Sequence, residues 1–308
     1  MSISSSDNIE TIANSIANSI DDEKTIAGRS LWADAYYRLR NNLAAKISLV
    51  IMAIIVVLVI AAPLLSPHDF DAPDWDNIQI SPSLETGHIF GTDSIGRDLF
   101  VRTLYGGRIS LMVGLVATIV SLIIGVSYGA IAGFIGGRVD SVMMRIVDIL
   151  YAMPFMFFVI MLMVVFGRNL VLIFVAIGAI NWLDMARIVR GQTLSLKHKE
   201  YIEAAEACGV GTFTIIRRHI IPNLLGVVIV YITLTIPQVI LIESFLSFLG
   251  LGVQEPNTSW GALVNEGASD MISAPWTLIF PALFLATTLF CFNFLGDGLR
   301  DALDPKDR

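Results

Sequence analysis

Long, nearly unbroken apolar runs constrain this chain more than any other feature. KISLVIMAIIVVLVIAAPLL, residues 46–65, carries Lys46 at its edge and no other charge, and about 20 apolar residues suffice to cross a bilayer core. Comparable runs cover roughly 109–134, 142–166, 170–189, 223–246 and 275–296, so the sequence predicts six transmembrane helices. The first closes at Pro63 and Pro67, and only Gly167, Arg168 and Asn169 separate the third from the fourth. The apolar residues come in runs and not in alternation, which favours helices over a membrane barrel. Only 15% of the chain is charged, against roughly 25% in soluble domains. An all-α membrane protein is therefore expected, in contact with lipid along most of its length.

Charge placement orients the spans, because Lys and Arg concentrate on the cytoplasmic side. Lys24, Arg29, Arg38, Arg40 and Lys46 precede the first span. Residues 66–108 carry Asp69, Asp71, Asp74, Asp76 and Glu85, and 247–274 hold no Lys or Arg. Arg138 and Arg145, then Arg190, Lys197, Lys199, Arg217 and Arg218, then Arg300, Lys306 and Arg308 mark the remaining cytoplasmic segments. Both termini are thus expected in the cytoplasm. The start of the chain has no basic head or short apolar core, so a cleaved signal peptide is not expected. Ile9, Ile12, Ile16 and Ile20 read either as a helical stripe or as part of a loose polar tail.

Bond chemistry has no visible carrier. The chain holds no G-x-x-x-x-G-K-[ST] loop, no nucleophile elbow and no His/Cys/Asp cluster at metal-ligand spacing. No catalytic residue, cofactor, metal or nucleic acid is expected on this chain. Cys208 and Cys291 fall in a polar segment and an apolar run, so they read as unpaired and inert.

KEYIEAAEACGVGTFTIIRRHIIPN, residues 199–223, interrupts this apolar pattern. Its first half is rich in Glu and Ala, good helix formers. Gly209 suits a helix stop, and Thr212 or Thr214 can cap a second short helix running to Pro222. Neither piece is long enough to be stable alone, so a helical hairpin packed against something is expected. An ordinary inter-helix loop and a docking element fit these residues equally well.

Glu203, Ala204, Ala205, Gly209, Ile221 and Pro222 follow the spacing of the EAA loop of binding-protein-dependent ABC importers, and the segment resembles that loop. His219 stands where the pattern usually has an aliphatic residue. The likeness extends to HIFGTDSIGRDLFVRTLYGGRISL (88–111), WLDMARIVRGQTLSLKHKEYIEAA (182–205), ESFLSFLGLGVQEPNTSWGALV (243–264) and FLGDGLRDALDPKDR (294–308). These stretches, with GRSLWADAYYRLRNN (28–42), are similar to the peptide/nickel permease family, most closely its oligopeptide C-subunit branch.

The resemblance implies a type I ABC importer permease fold with a cytoplasmic coupling helix. It divides the chain into a tail (1–40), a first helix (41–66), an outer segment (67–107), a five-helix core (108–297) containing the coupling loop (191–222), and a tail (298–308). It implies a second, B-type permease subunit, two ATPase subunits that bind ATP and Mg, an external peptide-binding protein and an oligopeptide substrate. Dipeptide or nickel import is the alternative within the family, and an ion-driven secondary transporter or a membrane-embedded enzyme the alternative outside it. Glu203 and Ala205 are expected against the ATPase.

Several residues leave two readings open. Gly125, Gly129 and Gly133 form a doubled G-x-x-x-G, a packing seam within the chain or with another subunit, or a flexible stretch. Asp184 and Arg187 suggest an i,i+3 pair on one helix, with Asp148 a further acid in a span. Glu243 reads as lining the mouth of the translocation path, or as an interfacial acid bonded to Asn or Trp neighbours. Trp260 and Trp276 are expected at the membrane interface, and 66–108 as a solvated face that also meets the external protein.

Overall fold

The computed structural model describes residues 31–167 and 170–303. The isoleucine-bearing tail, Lys24, Arg29, Arg168, Asn169, Lys306 and Arg308 lie outside the described residues, and so do the expectations that rest on them. Every regular element among the described residues is helical: α1 (Leu31–Asn41), α2 (Leu43–Leu65), α3 (Leu99–Ile135), α4 (Gly137–Ala152), α5 (Phe155–Phe166), α6 (Leu170–Lys197), α7 (Glu200–Ala207), α8 (Thr212–Ile215), α9 (Ile221–Phe248), α10 (Trp260–Ser269) and α11 (Trp276–Leu303). A π-helical turn, Ile216–Ile220, joins α8 to α9 without a break.

Among the described residues, four helices are long and apolar enough to cross a membrane: α2, α3, the run Thr212–Phe248, and α11. Counting α4 and α5 as one bent span gives five. The sequence predicts one straight third span over 142–166; the chain instead bends by 84° between α4 and α5. Pro154 accounts for the break. The residue before a proline is pushed out of the helical region, and Met153 sits at φ −76°, ψ 127°.

The predicted second span is too short at its start. α3 begins at Leu99, where the Asp98 side chain accepts a hydrogen bond from the Val101 N–H at 2.9 Å. Arg102 and Arg108 look like loop charges in sequence, yet both lie within the helix. Arg108 donates from Nε to Val59 O and from a terminal nitrogen to Ile60 O, each at 2.7 Å. The Val59 carbonyl is the one that would have met the N–H of residue 63, and Pro63 has none. An arginine on α3 thus satisfies the acceptor that the proline strands in α2.

The end of the bundle formed by 66–98 and 250–275 is closed by buried charge. Arg102 makes a forked contact with Glu266 at 2.8 and 3.1 Å, and Arg97 reaches Asp93 at 2.7 Å and Glu255 at 2.9 Å. Burial pushes the Glu266 carboxyl above its ordinary range, against the pull of Arg102 and Arg97. Trp260 is fully buried and not interfacial: its ring N–H donates to Thr103 O at 2.9 Å, and Phe284 lies beside it. The Trp276 ring N–H donates to Thr92 O at 3.1 Å, tying α11 to the 66–98 segment. Asp69, Asp71, Asp76 and Glu85 remain on the exposed face of that segment.

Removing the half-buried Arg108 donor should cost about 1–2 kcal/mol, the range for a hydrogen bond from a charged group in a membrane protein. Arg108→Ala should lower the unfolding midpoint in detergent. Pro63→Ala restores the missing N–H, so the same Arg108→Ala change should cost less than half as much in that background. Equal losses in both backgrounds would refute the pairing.

Candidate functional site

The 199–223 hairpin is built with two faces. α7 starts at Lys199 with extended backbone, and Glu200 and Glu203 occupy its first turn, where the helix dipole favours acids. It ends in a paired motif: Gly209 N–H donates to Glu206 O at 2.9 Å, and Val210 N–H to Ala205 O at 3.1 Å. That geometry needs a left-handed residue after the cap, and Gly209 has φ +76°. A side chain there would meet nothing within 4 Å, so glycine is required for its backbone and not for space. The structure corrects the expected threonine cap. Gly211 precedes α8, with no side-chain cap bond.

Ile202, Ile215, Ile216, Ile220 and Leu224 turn inward and join Val126, Ala130 and Phe134 of α3 and Met185 and Val189 of α6 in one apolar cluster. Ala205, Val210 and Ile221 pack against its edge. Tyr201, Glu203, Ala204, Glu206, Phe213, Arg217 and Arg218 face outward, as do Gly209 and Pro222. Ala205, expected on the docking face beside Glu203, thus rests largely on the chain's own core. His219 is half-buried, and its carbonyl accepts from the Asn223 side chain at 2.6 Å.

The hairpin has a seat because α3 and α6 lie unusually close. A Cβ at Gly125 would fall 2.6 Å from Met185 Cβ, one at Gly129 2.4 Å from Ala186 O, and one at Gly133 2.8 Å from Thr193 Cβ. The helix facing the three glycines is therefore in the same chain. Beyond the seam, Lys197 Nζ donates to Phe134 O at 2.6 Å, and Arg190 binds Asp140 through two nitrogens.

Other expected residues sit differently. Glu243 is fully buried on α9 and faces no opening in the chain; its partners are hydroxyls, Ser110 at 3.1 Å and Ser247 at 2.7 Å, and not Asn or Trp side chains. Arg187 does not pair along its helix with Asp184. It crosses to Asp148 of α4 at 2.8 Å and lies 4.3 Å from the centroid of the Tyr151 ring.

His68, His88 and Asp98 come together with ligand-type atoms within 4.8 Å, a group that sequence spacing does not reveal. Its carboxylate is already engaged at both oxygens, by the His88 ring at 2.8 Å and the Val101 N–H. The group therefore reads first as a clamp on the start of α3. The residues missed in sequence, Asp93, Arg97, Arg102 and Glu266, are ordinary charged residues there; only folding places them in one buried network.

Span-length helices around a glycine seam, with one charged hairpin seated at an end, define a polytopic helical membrane protein. Residues 125–308 match the family described as binding-protein-dependent transport system inner membrane component, and residues 30–82 match the N-terminal TM domain of oligopeptide transport permease C. The chain belongs to the binding-protein-dependent transport system inner membrane component family. It is 57% identical over 302 residues to the oligopeptide transport system permease protein OppC of Haemophilus influenzae, covering 98% of this chain and 96% of that one. It is 58% identical over 301 residues to OppC of Escherichia coli K12, covering 98% of both. It is 49% identical over 276 residues to the dipeptide transport system permease protein DppC of Bacillus subtilis, covering 89% of this chain and 86% of that one.

Overpacking the seam tests its role. Gly129→Leu should destabilise the protein by about 1–3 kcal/mol, read as a lower unfolding midpoint in detergent. Gly191→Ala lies on the same helix pair where a Cβ meets nothing within 4 Å, and should be neutral or stabilise by up to about 1 kcal/mol. Similar losses from both would count against the close approach.

Proposed function

We propose that this chain is one of two permease subunits of an ATP-driven importer that carries oligopeptides inward across the cytoplasmic membrane. The observation that carries this reading is the 57–58% identity, over nearly the whole chain, to oligopeptide permease proteins. The fold adds a hairpin that holds an apolar face on its own chain and leaves acids and an aromatic free to meet another protein.

Six spans result if the bent α4–α5 pair is one and α6 another; 28 residues at 1.5 Å each extend about 42 Å. The Lys and Arg distribution puts the hairpin and both termini in the cytoplasm. The partners are a B-type permease subunit, two ATPase subunits that hold ATP and Mg, and an external peptide-binding protein. In this scheme Glu203, Ala204 and the Gly209 turn contact the ATPase, while Ala205 and Ile221 rest on the chain's own apolar cluster and Pro222 opens α9. Closure of the ATPases on ATP displaces the hairpin, and the helix running from Thr212 to Phe248 carries that displacement into the membrane. Nothing in the hairpin makes or breaks bonds; hydrolysis belongs to the partners.

The full complex in vesicles should take up labelled oligopeptides only with ATP and the external binding protein, and uptake should persist under a protonophore. Dipeptide and nickel supplied in parallel identify the alternative cargoes, and protonophore-sensitive, ATP-independent uptake would overturn the ATP-driven reading. Glu203→Lys reverses a charge at the proposed interface and should cut uptake and ATPase retention by about tenfold or more. Full retention of both by this variant would remove the hairpin from the coupling role.

A further inference from the structure

Asp184 is a carboxylate in a predicted membrane span. Among the described residues, its side chain has no hydrogen-bond partner and no cation within 4 Å; Arg187, three residues on, attracts it only at longer range. The reason is specific. The Arg187 guanidinium is turned away to Asp148 and the Tyr151 ring on α4. An ionisable residue inside a span is expensive, and one without a counter-charge more so.

Its surroundings form a polar patch where α4, α6 and α9 meet. Leu183, Met185 and Ala186 are buried around it, while Asp184 itself is half-buried. Tyr231 of α9 lies within electrostatic reach of both Asp184 and Tyr151 of α4, and the Tyr151 ring lies against Arg187. On this chain the Arg187 and Asp148 side chains keep 39% and 56% of their surface exposed. The Arg187–Asp148 and Arg190–Asp140 pairs each cancel, which leaves the Asp184 charge near the Tyr231 hydroxyl, a group that donates as well as accepts.

We infer that this patch is a substrate subsite in which the Asp184 carboxylate receives the ammonium group of a passing peptide and Tyr151 and Tyr231 hydrogen-bond its amide groups. The inference rests on the peptide-importer reading above. An ammonium supplies the missing counter-charge, and it can come from the peptide's N-terminus or from a lysine side chain. A seam with a basic residue of the second permease subunit is the competing occupant, and the test below separates the two.

The test uses the complete complex in vesicles with a saturating external binding protein, and compares trialanine with Ala-Lys-Ala. Asp184→Asn, nearly the same size but uncharged, should lower uptake of the recognised peptide by about tenfold while peptide-stimulated ATP hydrolysis stays within about twofold of wild type. Asp184→Glu, which keeps the charge, should restore at least about half of the uptake. An equal drop for both peptides assigns the ammonium to the N-terminus; a drop confined to Ala-Lys-Ala assigns it to lysine. Wild-type rates for both peptides in Asp184→Asn would overturn the subsite. So would loss of the second permease subunit from the purified complex, which would make Asp184 a subunit contact. Absence of ATP-dependent uptake in the wild-type complex would instead defeat the peptide-importer reading, and is recognisable before any variant is made.

Discussion

The close approach of α3 and α6 along Gly125, Gly129 and Gly133 is the constraint on which the rest of the structure depends. Helices in lipid gain little from hiding apolar surface, so they associate through close packing and hydrogen bonds. Removing three successive side chains on one face lets backbone meet backbone: Gly129 lies against the Ala186 carbonyl and the Arg190 N–H. The register of this pair fixes where its neighbours can pack. It sets Val126, Ala130 and Phe134 level with Met185 and Val189, and this patch is the floor on which Ile202, Ile215 and Ile220 land. It also brings Lys197 to the last carbonyls of α3 and Arg190 to Asp140 of α4. The hairpin is too short to be stable alone, and it takes its shape from that floor.

The opposite end of the bundle is held by charge. Arg102 is fully buried and forks onto Glu266 of α10, while Arg97 bridges Asp93 and Glu255. Removing one of the acids would leave the buried Arg97 or Arg102 guanidinium short of its counter-charge, which is costlier than the pair itself is favourable. The uninterrupted helix from Thr212 to Phe248 joins the two ends. One end carries the hairpin's isoleucines; the other carries Glu243, bonded to Ser110 of α3 and to Ser247, which in turn meets Ser259 at the start of α10. On the proposed reading, a push on the hairpin reaches the far end through this rod, because no loop lies between to absorb it.

The sequence was legible where local physics acts alone. Apolar runs located α2, α3, α9 and α11, though α3 begins at Leu99, well before the run at 109, and Gly209 marked the end of α7 because only its backbone geometry matters there. It failed where a distant residue decides. Arg102 and Arg108 looked like loop charges because nothing local says that Glu266 or a proline-freed carbonyl awaits them. Trp260 looked interfacial because its acceptor, the Thr103 carbonyl, lies far away in the chain. The doubled G-x-x-x-G announced a seam but could not name the facing helix, since many apolar helices would serve.

The two carboxylates Glu243 and Asp184 show the same limit most sharply. Each is a lone acid near the end of an apolar run, and nothing adjacent in sequence separates them. Folding gives Glu243 two hydroxyl donors from different helices and encloses it completely. The carboxylate is thereby satisfied within the chain and is available to nothing else. Folding gives Asp184 the reverse: the Arg187 guanidinium is drawn across to Asp148, and the acid is left half-buried within electrostatic reach of Tyr231. Glu243, read in sequence as a pathway or an interfacial acid, thus bonds to hydroxyls of its own chain, and Asp184, read as half of an i,i+3 pair, loses Arg187 to α4. The sorting depends on where Arg187 points, a choice made between α4 and α6 that no single-helix pattern contains.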